Sequence, residues 1–297
     1  MPVWIEAALN GPWTRARQPR MPLTVAELVA DGIACARAGA AIIHLHAYDP
    51  ATGRQNDDPD TYAAIIEGIR AVEDVIVYPT LPFVQSADAF RPDAVAARYA
   101  AVEALGRRGL LEWGVVDPGS INLVTSEEAA RAQAGSVYLN PGEHIVRGLH
   151  LAAEHGFVPS YAIYEPGFLR LGAALARAVP GCPPPVYRFM FSDAFTFGFP
   201  PAPYALDAHL RLLASVTPGS PWMVAGLGVD IRPLIAEAVA RGGHVRVGLE
   251  DAPFGTETPN PALVADAVAR VQAAGGRPAT AAEIRRAHPS GRPPAPR

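Results

Sequence analysis

His44-Leu45-His46 closes an apolar run, Ala41-Ile42-Ile43, and is followed by Asp49-Pro50 and Gly53. In a β-strand, side chains two residues apart leave the same face, so both imidazoles would aim at one point from a strand end. Converging neutral imidazoles suit a divalent ion of the zinc type. The same pair can also serve as two polar strand-end residues hydrogen-bonded to neighbours and water. A second block, Gly242-Gly243-His244-Val245-Arg246-Val247-Gly248-Leu249-Glu250-Asp251, adds a carboxylate, a cation and a second carboxylate. A period of two places Arg246, Gly248 and Glu250 on one strand face and Val245, Val247 and Leu249 on the other. His44, His46 and Glu250, with open positions for water or substrate, describe a catalytic rather than a structural metal site. A salt bridge to Arg246 is the structural alternative for Glu250. Asp251, beside that arginine, reads as an ion-paired carboxylate, either a general base or a fixed structural pair.

Positioning those groups needs strands, and the chain alternates short apolar runs with longer amphipathic ones. The strand candidates are 3–9, 41–46, 75–80, 113–117, 159–164, 186–191, 222–227 and 244–249. Helical patterns cover 24–38, 59–72, 92–105, 142–154, 167–178, 205–214, 231–241 and 261–274. Thr24 with Glu27 forms a capping box. Eight strands alternating with eight helices predict an α/β fold of the (β/α)8 TIM-barrel type, a single domain over 1–287. No Gly-x-Gly-x-x-Gly follows the first strand, which argues against a dinucleotide fold. In a barrel, strands 8 and 2 flank strand 1, about 10 Å apart, within side-chain reach of one ion. Two longer stretches, 83–91 and 192–204, would lie on the active face. The second carries Phe195, Phe197 and Phe199 and suggests an apolar wall, lid or subunit contact. The Pro- and Arg-rich tail, 288–297, is expected to be mobile.

Composition narrows the chemistry. The 297 residues are 49% apolar and 18% charged, as in a globular protein with a large core. No lysine is present, so all 25 basic residues are arginine. That excludes lysine Schiff bases and a Walker-type phosphate loop. A net charge of −4 argues against nucleic acid as the main partner. The two cysteines, Cys35 and Cys182, do not make a disulfide framework. No transmembrane run or secretory leader is seen, so a cytoplasmic protein without membrane partners is expected.

These blocks resemble the β-keto acid cleavage enzyme family, which includes a 3-keto-5-aminohexanoate cleavage enzyme. The resemblance spans nearly the whole chain. It includes Ala8-Leu9-Asn10-Gly11 with Thr14-Arg15, Ala38-Gly39-Ala40 before the histidines, Ala225-Gly226-Leu227-Gly228, the 242–251 block and Gly276-Arg277-Pro278-Ala279-Thr280. It implies a zinc-dependent (β/α)8 barrel, a homo-oligomer of dimer or tetramer type. The implied activity exchanges acyl groups between a β-keto acid and acetyl-CoA, releasing acetoacetate and a new CoA ester. By position, His44, His46 and Glu250 match the zinc ligands, and Arg246 and Asp251 match a dyad whose aspartate deprotonates the keto acid. Thr80 falls where a serine contacts substrate.

The departures concern the substrate. Tyr48 replaces an arginine, Leu81-Pro82 replaces a glycine pair, and Ala162 stands where the amino-substrate enzyme has a glutamate. Trp13 and Thr14 stand where that enzyme has another glutamate. Loss of both carboxylates predicts a neutral, apolar-tailed acid, with Trp13, Tyr48 and the 195–199 loop as walls. Arg15, Arg17 and Arg20 form a candidate cluster for the CoA phosphates; a solvated charged loop is the ordinary reading. The alternatives are a metal-dependent lyase or hydrolase without CoA, and a metal-binding relative without activity.

Overall fold

Eight short runs rich in β-branched and aromatic residues form strands β1 (Ile5–Ala8), β2 (Ile42–Leu45), β3 (Ile76–Pro79), β4 (Trp113–Val115), β5 (Val158–Ile163), β6 (Val186–Phe191), β7 (Trp222–Gly226) and β8 (His244–Val247). The structure is a computed structural model that describes residues 1–83 and 88–291. The strands form one parallel sheet in the order β3-β2-β1-β8-β7-β6-β5-β4. Its outer strands, β3 and β4, lie against each other to close the barrel, although no strand pairing joins them among the described residues. Helices follow each strand: α1 (Val25–Ala38), α2 (Pro59–Arg70), α3 (Ala94–Arg107), α4 (Gly142–His155), α5 (Pro166–Ala178), α6 (Pro203–Val216), α7 (Ile235–Ala240) and α8 (Asn260–Ala273). The expected (β/α)8 TIM barrel is therefore present. β1 lies between β8 and β2, as the proposed meeting of the two histidines with Glu250 requires.

Local chemistry explains most boundaries. Thr24 caps α1 through the Glu27 N–H while Glu27 returns to the Thr24 N–H at 2.9 Å, so the capping box forms. Gly39, at φ 117°, ends that helix in a conformation that favours glycine. The 231–241 helix is interrupted. Asp230 accepts the Arg232 N–H at 3.0 Å and a 3-10 turn, Arg232–Leu234, precedes α7. Proline within that turn lacks the N–H a regular helix would use.

Several elements escaped the periodicity. After β2 a two-residue hairpin, Tyr48–Asp49 with Arg54–Gln55, folds over the barrel mouth. After β4 comes a longer excursion, the ribbon Ile121–Leu123 with Ser136–Tyr138 and a short helix Ser126–Ala130. This third long loop was not anticipated; its 2- and 3-residue strands are too short to show alternation. The 83–91 loop is described only in part, because residues 84–87 lie outside the described residues. The tail expectation needs correction over its first part. His288 Nε2 meets the Pro184 carbonyl at 2.7 Å, and the Gly291 N–H donates to the Gly156 carbonyl at 2.8 Å. His288 and Gly291 are therefore tethered to the barrel, and 292–297 lie outside the described residues. Among the described residues no helix is long and apolar enough to cross a membrane.

Candidate metal and substrate site

His44 is buried on the inner face of β2, and His46 lies just past its end. Their ring centroids are 5.4 Å apart at an interplanar angle of 81°. His46 stays in place without a strand ladder because Asn10 clamps its backbone. The Asn10 Oδ1 accepts the His46 N–H at 2.9 Å and its Nδ2 donates to the His46 carbonyl at 2.8 Å. His46 Nδ1 faces Gln55 Oε1 at 3.2 Å, from the unexpected hairpin. With Nδ1 as donor, Nε2 carries a lone pair aimed at Glu250, an outer contact typical of a ligating histidine.

Glu250 reaches the same point by a route different from the one expected. β8 ends at Val247, not at residue 249, because Gly248 adopts φ +142°. A side chain at Gly248 would fall 2.1 Å from the Ala8 carbonyl oxygen. The chain turns there, and Trp13 Nε1 donates to the Glu250 carbonyl at 2.8 Å. Gly11, at φ +70°, lets its loop approach; a Cβ there would meet Glu250 Cγ at 2.5 Å. Turn geometry rather than strand alternation thus places the carboxylate.

Glu250 Oε2 lies 3.4 Å from His44 Nε2, and Oε1 lies 3.5 Å from His46 Nε2. One ligand atom from each of the three residues falls within 4.8 Å of the others. Burial holds His44 neutral, well below the usual histidine range. Burial opposes ionisation of Glu250, but Arg246 and the two histidines together hold its carboxyl well below the carboxylate range. His46 Nε2 and Glu250 Oε2 have no hydrogen-bond partner although buried. Lone pairs facing one another without a shared hydrogen fit a cation.

Every guanidinium nitrogen of Arg246 has a carboxylate partner. Nε and Nη2 hold Asp251 at 2.9 and 2.7 Å, Nη1 meets Glu6 at 3.1 Å, and Nη2 meets Glu250 at 2.9 Å. Glu6 in turn accepts the Tyr78 hydroxyl at 2.7 Å. Both readings of Glu250 therefore hold together, a salt bridge to Arg246 and a corner of the histidine cluster. Burial pushes the Asp251 carboxyl up to about 6, against the pull of Arg246. Arg246 and Asp251 are not exposed in the main cavity; Asp251 borders a separate cleft of about 230 Å³.

The main cavity, about 480 Å³, joins His44, His46 and Glu250 to most of the expected substrate contacts. Trp13, Tyr48, Thr80 and Ala162 line it, as does Phe195. Tyr48 is fixed by its hydroxyl to the carbonyls of Gly11 at 2.5 Å and Trp13 at 3.2 Å. Of the arginine cluster, Arg17 reaches the cavity rim, its guanidinium 5.8 Å from the Trp13 ring and 5.1 Å from Phe254. Arg15 does not line the cavity and is paired with Glu27 at 2.8 Å, where it braces the α1 cap; Arg20 is exposed outside it. Glu165 also lies outside the lining, accepting the Gly198 N–H at 3.0 Å.

Sequence reasoning missed Asp117 and Arg188, which also line the cavity. Asp117 Oδ2 accepts the Tyr138 hydroxyl at 2.6 Å and Oδ1 accepts the Ala162 N–H at 2.8 Å. The signal was a lone charge inside an apolar barrel strand, Val186-Tyr187-Arg188-Phe189-Met190-Phe191, where only the inner face accommodates it.

Comparison with known proteins gives consistent results. The chain is 28% identical over 240 residues to a 3-keto-5-aminohexanoate cleavage enzyme of Fusobacterium nucleatum, covering 80% of this chain and 78% of that protein. It is 27% identical over 302 residues to a 3-oxoadipate:acetyl-CoA acetyltransferase of Cupriavidus necator, covering 96% and 93%. Among solved structures, ObcA with oxaloacetate superposes with a TM-score of 0.69 at 17% identity, covering 92% of this chain and 68% of that one, a likeness of fold. The beta-keto acid cleavage enzyme profile matches residues 2–288, from before β1 to beyond the last described helix, and on that match the chain belongs to the beta-keto acid cleavage enzyme family.

Proposed function

We propose that the chain is a zinc-dependent enzyme that exchanges acyl groups between a neutral-tailed β-keto acid and acetyl-CoA. Membership of the family makes it a C–C bond-cleaving acyl-transfer enzyme, and relatives named as acetyl-CoA transferases support the co-substrate. The observation that carries the site assignment is the convergence of His44, His46 and Glu250 in the cavity, with His46 Nε2 and Glu250 Oε2 buried and without hydrogen-bond partners. The N,N,O donor set suits zinc with positions left for substrate. Such an ion would supply Lewis-acid polarisation of the keto oxygen, acidifying the C2 protons.

The chain's own residues do the rest. Asp251 accepts a C2 proton, and Arg246 holds it ionised and oriented. Asp251 borders the smaller cleft in this structure, and catalytic contacts commonly tighten only in the reacting complex. Thr80 borders the substrate near the ion. Trp13, Tyr48, Leu81 and Phe195 wall the acyl tail and exclude water, and Arg17 at the rim is the cation placed to meet a CoA phosphate. Arg15, committed to Glu27, is not.

The tail preference rests on committed carboxylates. Asp117 is engaged by Tyr138 and Ala162, and Glu128, at the mouth, caps Thr125 at 2.8 Å. The deep carboxylate is thus already engaged, and an ammonium desolvated in the cavity without a partner costs several kcal/mol. The test is turnover of β-keto acids with acetyl-CoA, following acetoacetate release with metal content measured alongside. Release from neutral-tailed acids, with one zinc per chain, is expected; no metal uptake overturns the centre, and preference for cationic tails overturns the pocket assignment.

A further inference from the structure

Arg188 is 3% exposed, yet its guanidinium is poorly engaged. Nη2 donates to the Ser160 carbonyl at 3.4 Å, at the long end of a hydrogen bond, and lies 3.7 Å from Asp117 Oδ1. Nε has no partner at all. Asp117 is no dedicated counter-ion, since its oxygens already accept from Tyr138 and from the Ala162 backbone. In register Arg188 lies beside Ala162, whose methyl leaves the guanidinium open on that side. Arginine is protonated at any working pH, so the group cannot relieve its burial by losing a proton. Arg188 lines the same cavity as His44 and Thr80.

From this geometry, we infer that Arg188 is the receptor for the carboxylate of the β-keto acid, the acid group two carbons from the keto oxygen. A fork of N–H donors matches a carboxylate, and such charge-assisted pairs are roughly twice as strong as neutral ones. The deep position selects the source. The acyl tail runs toward the mouth, where Trp13, Tyr48 and Phe195 stand, and the CoA phosphates stay near the rim with Arg17. Only the carboxyl end of a short acid held at the histidine cluster reaches the buried guanidinium. Arg188 is thus a binding and positioning residue, distinct from the proposed metal ligands and from the Arg246–Asp251 pair.

The inference rests on the proposed acid-cleaving reading, but its test needs no turnover. Zinc-loaded wild type and Arg188→Gln are titrated calorimetrically with acetoacetate and with acetoacetamide, which has the same shape without the charge. Arg188→Gln is expected to weaken acetoacetate by about 10–100-fold, the worth of a hydrogen bond to a charged group, and the amide by less than about threefold. Arg188→Lys should recover part of the loss. Ala162→Glu, which sets a carboxylate beside Arg188, should reproduce the acid-selective loss even if Arg188→Gln does not fold. Unchanged acetoacetate affinity in both Arg188→Gln and Ala162→Glu overturns the assignment. So does equal weakening of acid and amide. Wild type that binds acetoacetate through Arg188 but turns over no β-keto acid with acetyl-CoA would overturn the acyl-transfer reading and leave this one standing.

Discussion

Two arginines stand inside the barrel, and their surroundings differ. Arg246 on β8 has a carboxylate partner on each of its three nitrogens, Asp251, Glu250 and Glu6 lying at 3.1 Å or less. Arg188 on β6 has one long bond, one loose ion pair and an unpartnered Nε. A saturated buried guanidinium fixes the groups around it, whereas an unsaturated one leaves binding capacity unspent. The barrel therefore separates its scaffold cation from its substrate cation by how completely each is paired.

The largest expected effect lies beside the saturated arginine. His44→Ala or His46→Ala should lose the bound ion and reduce turnover to background, with the fold retained; metal analysis and circular dichroism check both. An ion retained at full occupancy would remove these histidines from the centre. Asp251→Asn should keep the ion and lower kcat by about 10²–10⁴-fold, the usual contribution of a general base. Near-normal kcat there, with loss in Asp117→Asn, would move the base to the cavity-lining carboxylate beside Arg188.

Removing each arginine tests the contrast directly. Arg246→Met strands three buried carboxylates and should cost about 3–5 kcal/mol in denaturant unfolding. Arg188→Gln, whose partner Asp117 keeps two other donors, should cost only about 1 kcal/mol. Equal losses would mean that Arg188 is a second scaffold.

Acid sensitivity should come from neither arginine. His209 on α6 is buried between Phe189, Phe191 and Phe199 without a hydrogen-bond partner, and burial lowers it to about 4. The folded state then binds fewer protons than the unfolded one between pH 6.5 and 4. Stability is intact above 6.5 and falls as pH drops through that window, by up to about 3 kcal/mol. His209→Phe should flatten that part of the stability–pH curve, and an unchanged slope would assign it elsewhere.

The smallest effect sharpens the substrate side. Because Ala162 neighbours Arg188 in register, Ala162→Glu alone pairs with the guanidinium and should not create a preference for amino-tailed acids. Preference for amino-tailed acids in the single variant would show that Arg188 does not reach residue 162.

Features carried by local rules were legible in the sequence: the Thr24–Glu27 cap, the strand–helix alternation and the two histidines at period two. Glu250 was assigned to the right rim through the wrong cause, since Gly248 replaces two strand residues with a turn. Asn10 and Gln55 hold His46 from loops, and no periodicity marks a side chain that bonds a backbone 36 residues away. Arg188 was legible in principle, as one charge within six strand residues, but its value lies in absent partners, which only three dimensions reveal.

The placement of β1 between β8 and β2 also sets a schedule for the chain's birth. At about 5–20 residues per second, His46 leaves the ribosome roughly 10–40 s before Glu250. Two imidazoles alone make a weak site, so an ion can lodge firmly only after β8 docks on β1 and the barrel shuts. With an ion bound as proposed, metal uptake would act as a latch on the last-made seam, and chelation should loosen that seam first. Hydrogen exchange along β1 and β8 should therefore accelerate on chelation while β5 and β6 stay protected.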